Sequence, residues 1–461
     1  MSIPARFAPE SFRAFRVTDR GYDAGTRTVT LRYALDDRVG FVETLTFEPG
    51  ATGTSGGSRQ PVPEPPGPGF DRALLHLHVA AGTSYYKTAA PPEVVVEGES
   101  MAPAELAFHH HLYDDGLREF AVANGLPVPR PVTVVADGSG TVPGPPPAGG
   151  LRPGLVVPIG GGKDSMVLIE SVLHLRPRLF AVNPHPLVVE LAAEAGLELL
   201  VVHRRLDPGL AALHRAGAMN GHVPITAIVS LAAALGAFVH GYDTVAMAVE
   251  RSASEETVLV DGVPVNHQYS KSRDLELLLA ELLTSTVSPD FVYGSALRPY
   301  SELAISRAFA RLTKYHRTFC SCNTAFRHDA APGDRWCGDC PKCRFVGLML
   351  APFVGRDDLA AIVGRDLFAD PGQVPGFAAL MSDADKPFEC VGERRESAAA
   401  LRLLAGRAEW RDAPVVAALA PVAGALVTDE EVVELLAPRP ELAFPDAAVA
   451  AAVDALVTGD P

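Results

Sequence analysis

Residues 155–170 read LVVPIGGGKDSMVLIE, and the organisation of the chain follows from them. The apolar run from Leu155 to Ile159 has the composition of a strand buried on both faces. Gly160, Gly161 and Gly162 follow, then Lys163, Asp164 and Ser165, then an apolar stretch suited to a helix. A strand, a glycine turn and a helix start make an anion site. Free backbone N–H groups converge there, and the helix dipole favours negative charge. Glycine lets phosphate oxygens approach the backbone with no Cβ in the way.

Two common phosphate loops are excluded. A Walker loop needs a glycine where Val157 stands and a Ser or Thr where Asp164 stands. The dinucleotide fingerprint fails because Asp164 and Ser165 occupy the wrong places. GGGKDS at 160–165 instead resembles the S-G-G-x-D-S loop of the PP-loop ATP pyrophosphatases. That resemblance implies a grip on the β,γ-pyrophosphate of ATP and cleavage at the α-phosphate, with adenylation of a substrate. Gly160 stands where that family usually has Ser, which removes one hydroxyl donor and leaves the backbone cradle.

With 461 residues the chain is long enough for two or three domains and a substantial core. No apolar run reaches membrane-spanning length, and the N-terminus lacks a signal-peptide core, so a soluble cytoplasmic protein is expected. A formal charge of −15 disfavours broad nucleic-acid binding. Five of the six cysteines lie between Cys320 and Cys343, which in a cytoplasmic protein points to metal rather than disulfides.

The fold class expected is α/β: a PP-loop doubly wound parallel sheet, preceded by a β-rich N-terminal domain and followed by a helical C-terminal region. From Phe12 to about Val96 apolar and polar residues alternate. TVTLRYAL, FVETLTF and ALLHLHVA read as antiparallel strands, interrupted by a Pro/Gly/Ser loop from Gly50 to Gly69. Pro103 to Asn124 reads as one amphipathic helix. It contains His109, His110 and His111, of which at most His110 could pair with Asp114. Tyr85, Tyr86 and Lys87 occupy a turn-like segment, either touching substrate or simply half-exposed. The division expected is a β-rich domain over 1–136, a linker over 137–150 (DGSGTVPGPPPAGG from Asp137), a PP-loop domain over 151–344 and helices over 345–461.

Beyond the glycine loop, strand and helix patterns alternate. LFAVN, LELLVVH and TVAMAVE read as strands; LVVELAAEAG and PITAIVSLAAALGAFVHG read as helices. Parallel sheets bind ligands at the carboxyl ends of their strands. That puts Asn183, His203 and Glu250 on the rim that carries the glycine loop. Two polar clusters stand at loop positions nearby: Asn220, Gly221 and His222, then Asn266 to Ser272 with His267, Tyr269 and Lys271. Each is either a solvated loop or a source of proton-transfer groups and phosphate contacts.

Cys337, Cys340 and Cys343 form a C-x-x-C-x-x-C run, with Cys322 upstream, and fit tetrahedral structural zinc. Cys320 competes with Cys322 as fourth ligand, and Cys322 is preferred; His316 and His328 are weaker substitutes. An iron–sulfur cluster remains the alternative occupant. A closed four-thiolate site leaves no position for catalysis, so its expected role is to pin its segment, with Arg335, Lys342 and Arg344, against the nucleotide domain. Farther on, Leu359 to Ile362, Ser397 to Leu404, Val415 to Leu426 and Glu430 to Leu436 read as helices. KPFECVGE at 386–393 holds Cys390, which lies outside the cluster; a buried structural thiol is the plain reading of it.

A PP-loop domain followed by four cysteines looks like the 7-cyano-7-deazaguanine synthases, which are shorter and lack both flanking regions. The whole chain is more similar to the MurL family of UDP-N-acetylmuramoyl-L-alanyl-L-glutamate epimerases, through GGGKDS, NGHVP at 220–224, NHQYSKS at 266–272, SCN…CGDCPKC at 322–343 and KPFECVGE. The resemblance implies that ATP adenylates the α-carboxylate of a terminal L-glutamate, that the α-proton is removed and returned on the opposite face, and that hydrolysis yields AMP and the D-glutamate product for peptidoglycan synthesis. ATP and pyrophosphate would be held by Gly160, Gly161, Gly162, Lys163, Asp164, Ser165, Asn183 and Glu250, with Mg²⁺ as counter-ion. His222, His267, Tyr269, Lys271 and Cys390 are the proton-transfer candidates. The expected partner is a UDP-muramyl dipeptide, with neither nucleic acid nor membrane. Two other readings stay open: an adenylating enzyme acting on a heterocycle carboxylate or tRNA, and a non-catalytic nucleotide-binding protein with a zinc module. Nitrile formation from ammonia or a salt-sensitive RNA shift marks the first; ATP binding without pyrophosphate release marks the second.

Overall fold

The computed structural model describes residues 7–48, 67–144, 148–325 and 335–459. Its strands are β1 (Ala14–Asp23), β2 (Thr28–Leu35), β3 (Val39–Phe47), β4 (Glu93–Val96), β5 (Thr133–Ala136), β6 (Arg152–Pro158), β7 (Arg178–Val182), β8 (Leu199–Arg205), β9 (Tyr242–Met247), β10 (Val258–Val260), β11 (Val263–Val265) and β12 (Val292–Ser295). Ten of them form one sheet in the order β12-β9-β6-β7-β8-β3-β2-β1-β4-β5, and β10 and β11 form a separate hairpin. From β12 to β8 all neighbours are parallel. β8 then pairs antiparallel with β3, and β3, β2 and β1 form an antiparallel meander before β4 and β5 return to parallel pairing. The fold is thus α/β with a parallel-rich sheet, and the sheet runs unbroken from the N-terminal strands into the parallel half.

Period-2 alternation in the parallel strands feeds two cores. Val156, Phe180 and Val245 point into one core with the N-terminal elements and the helix Ile225–Val239. Their neighbours Val157, Leu179, Ala181 and Ala246 point into the other, with the helix Lys163–Val172 and the C-terminal helices. Both faces are covered, which is why these strands read as continuous apolar runs. The expected C-terminal helices are present as Arg356–Val363, Arg394–Ala405, Pro414–Leu426 and Asp429–Leu436. Among the described residues no helix is long and apolar enough to cross a membrane.

The order of the sheet fixes where a ligand can sit. From β6 the chain runs outward through β7 to β8, then comes back to place β9 on the other side of β6. The crevice of such a sheet opens at the carboxyl ends of the two strands flanking the reversal. Here those ends carry Gly160–Gly162 after β6 and Glu250 after β9.

Three local expectations are corrected. ALLHLHVA is not a strand but part of the helix Gly67–Ala81. Leu74, Leu75, Leu77, His76 and His78 are all buried there, so no polar face exists to show a helical period. His76 is held by His109 Nε2 at 3.2 Å and Thr286 Oγ1 at 3.0 Å, and His78 by the Arg32 carbonyl at 2.9 Å. The single helix expected over Pro103 to Asn124 is broken into Pro103–Tyr113, a 3-10 turn Asp115–Leu117 and Arg118–Ala123. Asp114 sits at the break, accepting from the Arg130 amide at 3.0 Å and from Arg118 Nη2 at 2.9 Å; the helical pair formed is His111–Asp115, at 2.7 Å. Tyr85 and Tyr86 are buried in the short helix Thr83–Tyr86, their hydroxyls bonded to the Asp207 amide and the Pro91 carbonyl. They are core residues. The Gly50–Gly69 loop lies largely outside the described residues, and Gly67–Gly69 already belong to the helix.

Candidate active site

β6 ends in a loop whose backbone is shaped by glycine. Gly161 has φ +91°, a left-handed conformation that a side chain resists. Its carbonyl accepts from the Cys320 amide at 3.0 Å. Gly162 caps the helix Lys163–Val172, and a Cβ there would stand 3.0 Å from Ser321 Oγ. The Gly160 amide reaches Ser165 Oγ at 3.4 Å. A Cβ at Gly160 would meet nothing within 4 Å, so glycine at this position removes a donor without reshaping the loop.

Lys163 is 2 % exposed, and its ammonium is paired with Asp164 and Glu302. Burial works against that charge, but the two carboxylates outweigh it and hold the lysine above its ordinary pKa. Asp164, Glu250 and Glu302 each present an oxygen within 4.8 Å of the others, a donor set suited to a hard divalent cation. Burial, reinforced by Asp164, pushes Glu302 up to about 7. Asn183 ends β7 with φ +46°, and its side chain clamps the Arg204 backbone, donating to the carbonyl at 2.8 Å and accepting from the amide at 2.9 Å. That side chain is committed to the sheet. His203 pairs with Glu48 at the surface.

A second cluster adjoins the first. His267 Nδ1 donates to Glu119, and the same ring contacts the Cys390 thiol. Lys271 Nζ lies 3.4 Å from Cys390 Sγ and 3.1 Å from Gln268 Oε1. The His222 ring is tilted against that of His267, with centroids 4.7 Å apart, and its Nδ1 is 3.7 Å from the same Glu119 oxygen. Lys87 fixes the loop under His222 by donating to the Gly221 carbonyl at 3.0 Å. Tyr269 is not part of this cluster: it packs against the N-terminal core, and burial, with Asp115, raises its pKa. Four of the five proton-transfer candidates therefore come together.

The cluster is electrostatically polarised. Burial pushes the Cys390 thiol up, but Lys271, His267 and Lys342 outweigh it and bring it down to about 6. Burial pushes His267 down, but Cys390 and Glu119 outweigh it and bring it up to about 9. Burial is the main cause that lowers His222 to about 4. Near neutral pH the cluster thus holds a thiolate, an imidazolium and a neutral imidazole. Alkylation of Cys390 by iodoacetamide, followed by peptide mass mapping, should titrate with an apparent pKa of about 6. A midpoint at the roughly 8.5 of free cysteine would contradict this polarisation.

The sulfurs of Cys322, Cys337, Cys340 and Cys343 all lie within 4.8 Å of one another. Backbone amides of Cys337, Asp339, Cys340 and Cys343 point at the cluster sulfurs from 3.3–3.5 Å. Four converging thiols with N–H donors around them fit a tetrahedral thiophilic metal. Cys320 lies outside the tetrad, its thiol donating to the Arg335 carbonyl at 2.7 Å; His328 lies outside the described residues. Residues next to the tetrad in the chain touch both halves of the site. Cys320 bonds the glycine loop, Asn323 donates to Glu389 at 2.7 Å, and Lys342 donates to the Cys390 carbonyl.

Sequence reasoning missed Glu119, Glu302 and Glu396. Glu396 is fully buried, one oxygen accepting the Glu302 amide at 3.2 Å. None lies in a motif. Each is a single helical carboxylate whose burial and company arise only on folding.

A family profile described as the MurL N-terminal domain matches residues 6–296, and one described as the MurL C-terminal domain matches 318–433. The chain is 42% identical over 424 residues to the UDP-N-acetyl-alpha-D-muramoyl-L-alanyl-L-glutamate epimerase of Salinispora tropica, covering 88% of each chain. It is 40% identical over 416 residues to the enzyme of that name from Xanthomonas oryzae pv. oryzae, covering 89% of this chain and 90% of the relative. For the Micromonospora sp. enzyme the identity is 43% over 423 residues, covering 88% and 90%. No solved structure matches the chain significantly.

Proposed function

The chain belongs to the MurL family of epimerases, and from that premise we propose that it inverts the terminal L-glutamate of UDP-MurNAc-L-Ala-L-Glu through an acyl adenylate, converting ATP to AMP and pyrophosphate. The observation that carries this reading is the position of Lys271. Its ammonium lies 3.4 Å from the Cys390 sulfur, and the charges of Glu250 and Asp164 in the glycine-loop cluster help to hold it protonated. The acid–base cluster and the carboxylates of the glycine loop therefore act on one and the same ammonium.

The chemistry needs both. A terminal carboxylate is anionic, and a carbanion next to it is severely disfavoured. Adenylation removes that charge and supplies an electron sink; each pKa unit gained is worth roughly 1.4 kcal/mol. A positioned base adds ~10²–10⁴-fold, too little to activate an unmodified carboxylate. Backbone N–H groups from Gly160 to Lys163 are the natural seat for the leaving pyrophosphate. Asp164, Glu250 and Glu302 have the donor chemistry for Mg²⁺, which when bound neutralises pyrophosphate charge. Cys322, Cys337, Cys340 and Cys343 would hold zinc in a structural role.

Incubation with ATP, Mg²⁺ and the L-Glu muramyl nucleotide should yield AMP and pyrophosphate together with D-glutamate after hydrolysis and chiral analysis. Pyrophosphate release with retained L-glutamate would leave adenylation standing and remove epimerisation.

A further inference from the structure

We propose that Cys390 acts as a nucleophile, taking the glutamyl acyl group from the adenylate as a thioester before the α-proton is removed. The inference rests on the adenylating epimerase reading above. Three observations support it. Cys390, His267 and Glu119 form a thiol–imidazole–carboxylate series, the arrangement that activates a nucleophile and orients its base. The segment bearing Cys390 is fixed from several sides: Lys342 donates to the Cys390 carbonyl, Gln268 Nε2 to the Val391 carbonyl at 3.3 Å, and Asn323 to Glu389. Gly392 lies so close to Phe345, Glu396 and Glu302 that a Cβ would stand 2.8–3.1 Å from their atoms. Lys271, 3.4 Å from the sulfur, is also held protonated by Glu250 and Asp164 of the glycine-loop cluster, which links the thiol to that cluster.

The charges around the sulfur suit attack better than proton abstraction. Bringing a thiol from roughly 8.5 to about 6 costs more than about two powers of ten in basicity. Nucleophilicity falls less than half as steeply on a logarithmic scale. A weak base that remains a good nucleophile is poorly matched to a carbon acid and well matched to an acyl carbon. The charged groups facing Cys390 and His267 are Lys271, Lys342, Glu119, Glu389 and, when protonated, His222.

Acylation also prepares the next step. Cys390 is the foremost of the groups that hold His267 protonated, against burial. Once the sulfur is acylated that support is gone, and the imidazolium gives up its proton. In sequence, the thiolate forms a C–S bond at the glutamyl carbonyl, the bond from that carbon to the bridging oxygen of the adenylate breaks, and its electron pair leaves with AMP. His267 loses its proton to solvent and then takes the Cα proton. A proton returns to the opposite face from the Lys271 ammonium, which then regains one from solvent. Once His267 has released the Cα proton to solvent, water attacks the carbonyl and gives a proton to the neutral imidazole, the C–S bond breaks, and the thiolate is restored beside its imidazolium. The sum is one ATP and one water consumed for AMP and pyrophosphate.

The test is an acid quench of the full-length enzyme during turnover with ATP, Mg²⁺ and UDP-MurNAc-L-Ala-L-Glu, followed by intact mass measurement. The expected result is a mass gain equal to the substrate less one water, mapped to Cys390 and removed by neutral hydroxylamine. C390A should lose the adduct and slow inversion by at least about 10³-fold. Solvent deuterium entering Cα of the product with no acyl-enzyme at any quench time overturns the thioester and leaves the epimerase reading intact. Absence of pyrophosphate release from the wild-type enzyme overturns both.

Discussion

Replacing Asp164 by Asn should lower pyrophosphate release by about two to three orders of magnitude while the protein stays folded. Asp164 stands just past the glycine loop, after Lys163, and shares its cluster with Glu250 and Glu302. Asn keeps the shape and one acceptor but removes the charge. Charge is what a divalent cation or a departing pyrophosphate responds to, and inside a partly buried pocket its loss is weakly screened. Stability should change little, because Lys163 keeps Glu302 as its buried partner. The comparison needs a coupled pyrophosphate assay and a thermal unfolding curve on the same samples. Full activity in Asp164→Asn would mean that this carboxylate group serves the fold and not the phosphates.

The second large effect is expected from Cys343→Ala. Cys343 is fully buried, and its sulfur lies 3.8 Å from that of Cys337 and 3.5 Å from that of Cys340. A structural zinc contributes ~10–16 kcal/mol of apparent binding free energy, comparable with the whole net stability of a domain. Loss of one thiolate should therefore remove the metal and lower Tm by more than about 10 °C. Metal analysis should find about one zinc per chain in the wild type and almost none in the variant. Cys320→Ala is the matched control: its sulfur lies outside the tetrad, so zinc content should be unchanged. A folded, zinc-free and fully active Cys343→Ala would refute the structural role. The damage should also reach the active site, since Cys320 braces the glycine loop and Lys342 and Asn323 brace the Cys390 segment.

Particular elements show why some of this was legible and some was not. GGGKDS reads directly because turn geometry and a helix start are local properties, set by residues adjacent in the chain. Cysteines three residues apart at the start of a helix likewise report their convergence through spacing alone. ALLHLHVA misleads because burial on all sides erases the polar face that marks a helix, and two buried histidines imitate alternation. Tyr269 misleads because neighbours in a loop need not face the same way: Lys271 turns to Cys390 and Tyr269 turns to the N-terminal core.

The sequence by itself determined the parallel α/β character of the middle of the chain, the glycine turn at a helix start, the four-thiol cluster and the helical C-terminal region. All of these rest on periodicity or short spacing. Tertiary structure alone decided that the N-terminal strands extend the same sheet through β3 and β8, that Glu302 joins Asp164 and Glu250, and that Glu119, His267, Lys271 and Cys390 meet. Arg204 meets Glu43 across 161 positions, His267 meets Glu119 across 148, Lys163 meets Glu302 across 139 and Lys271 meets Cys390 across 119, and no local pattern encodes such a meeting. The charge state of Cys390 belongs to the same class, because it is fixed by burial and by cations delivered from distant segments.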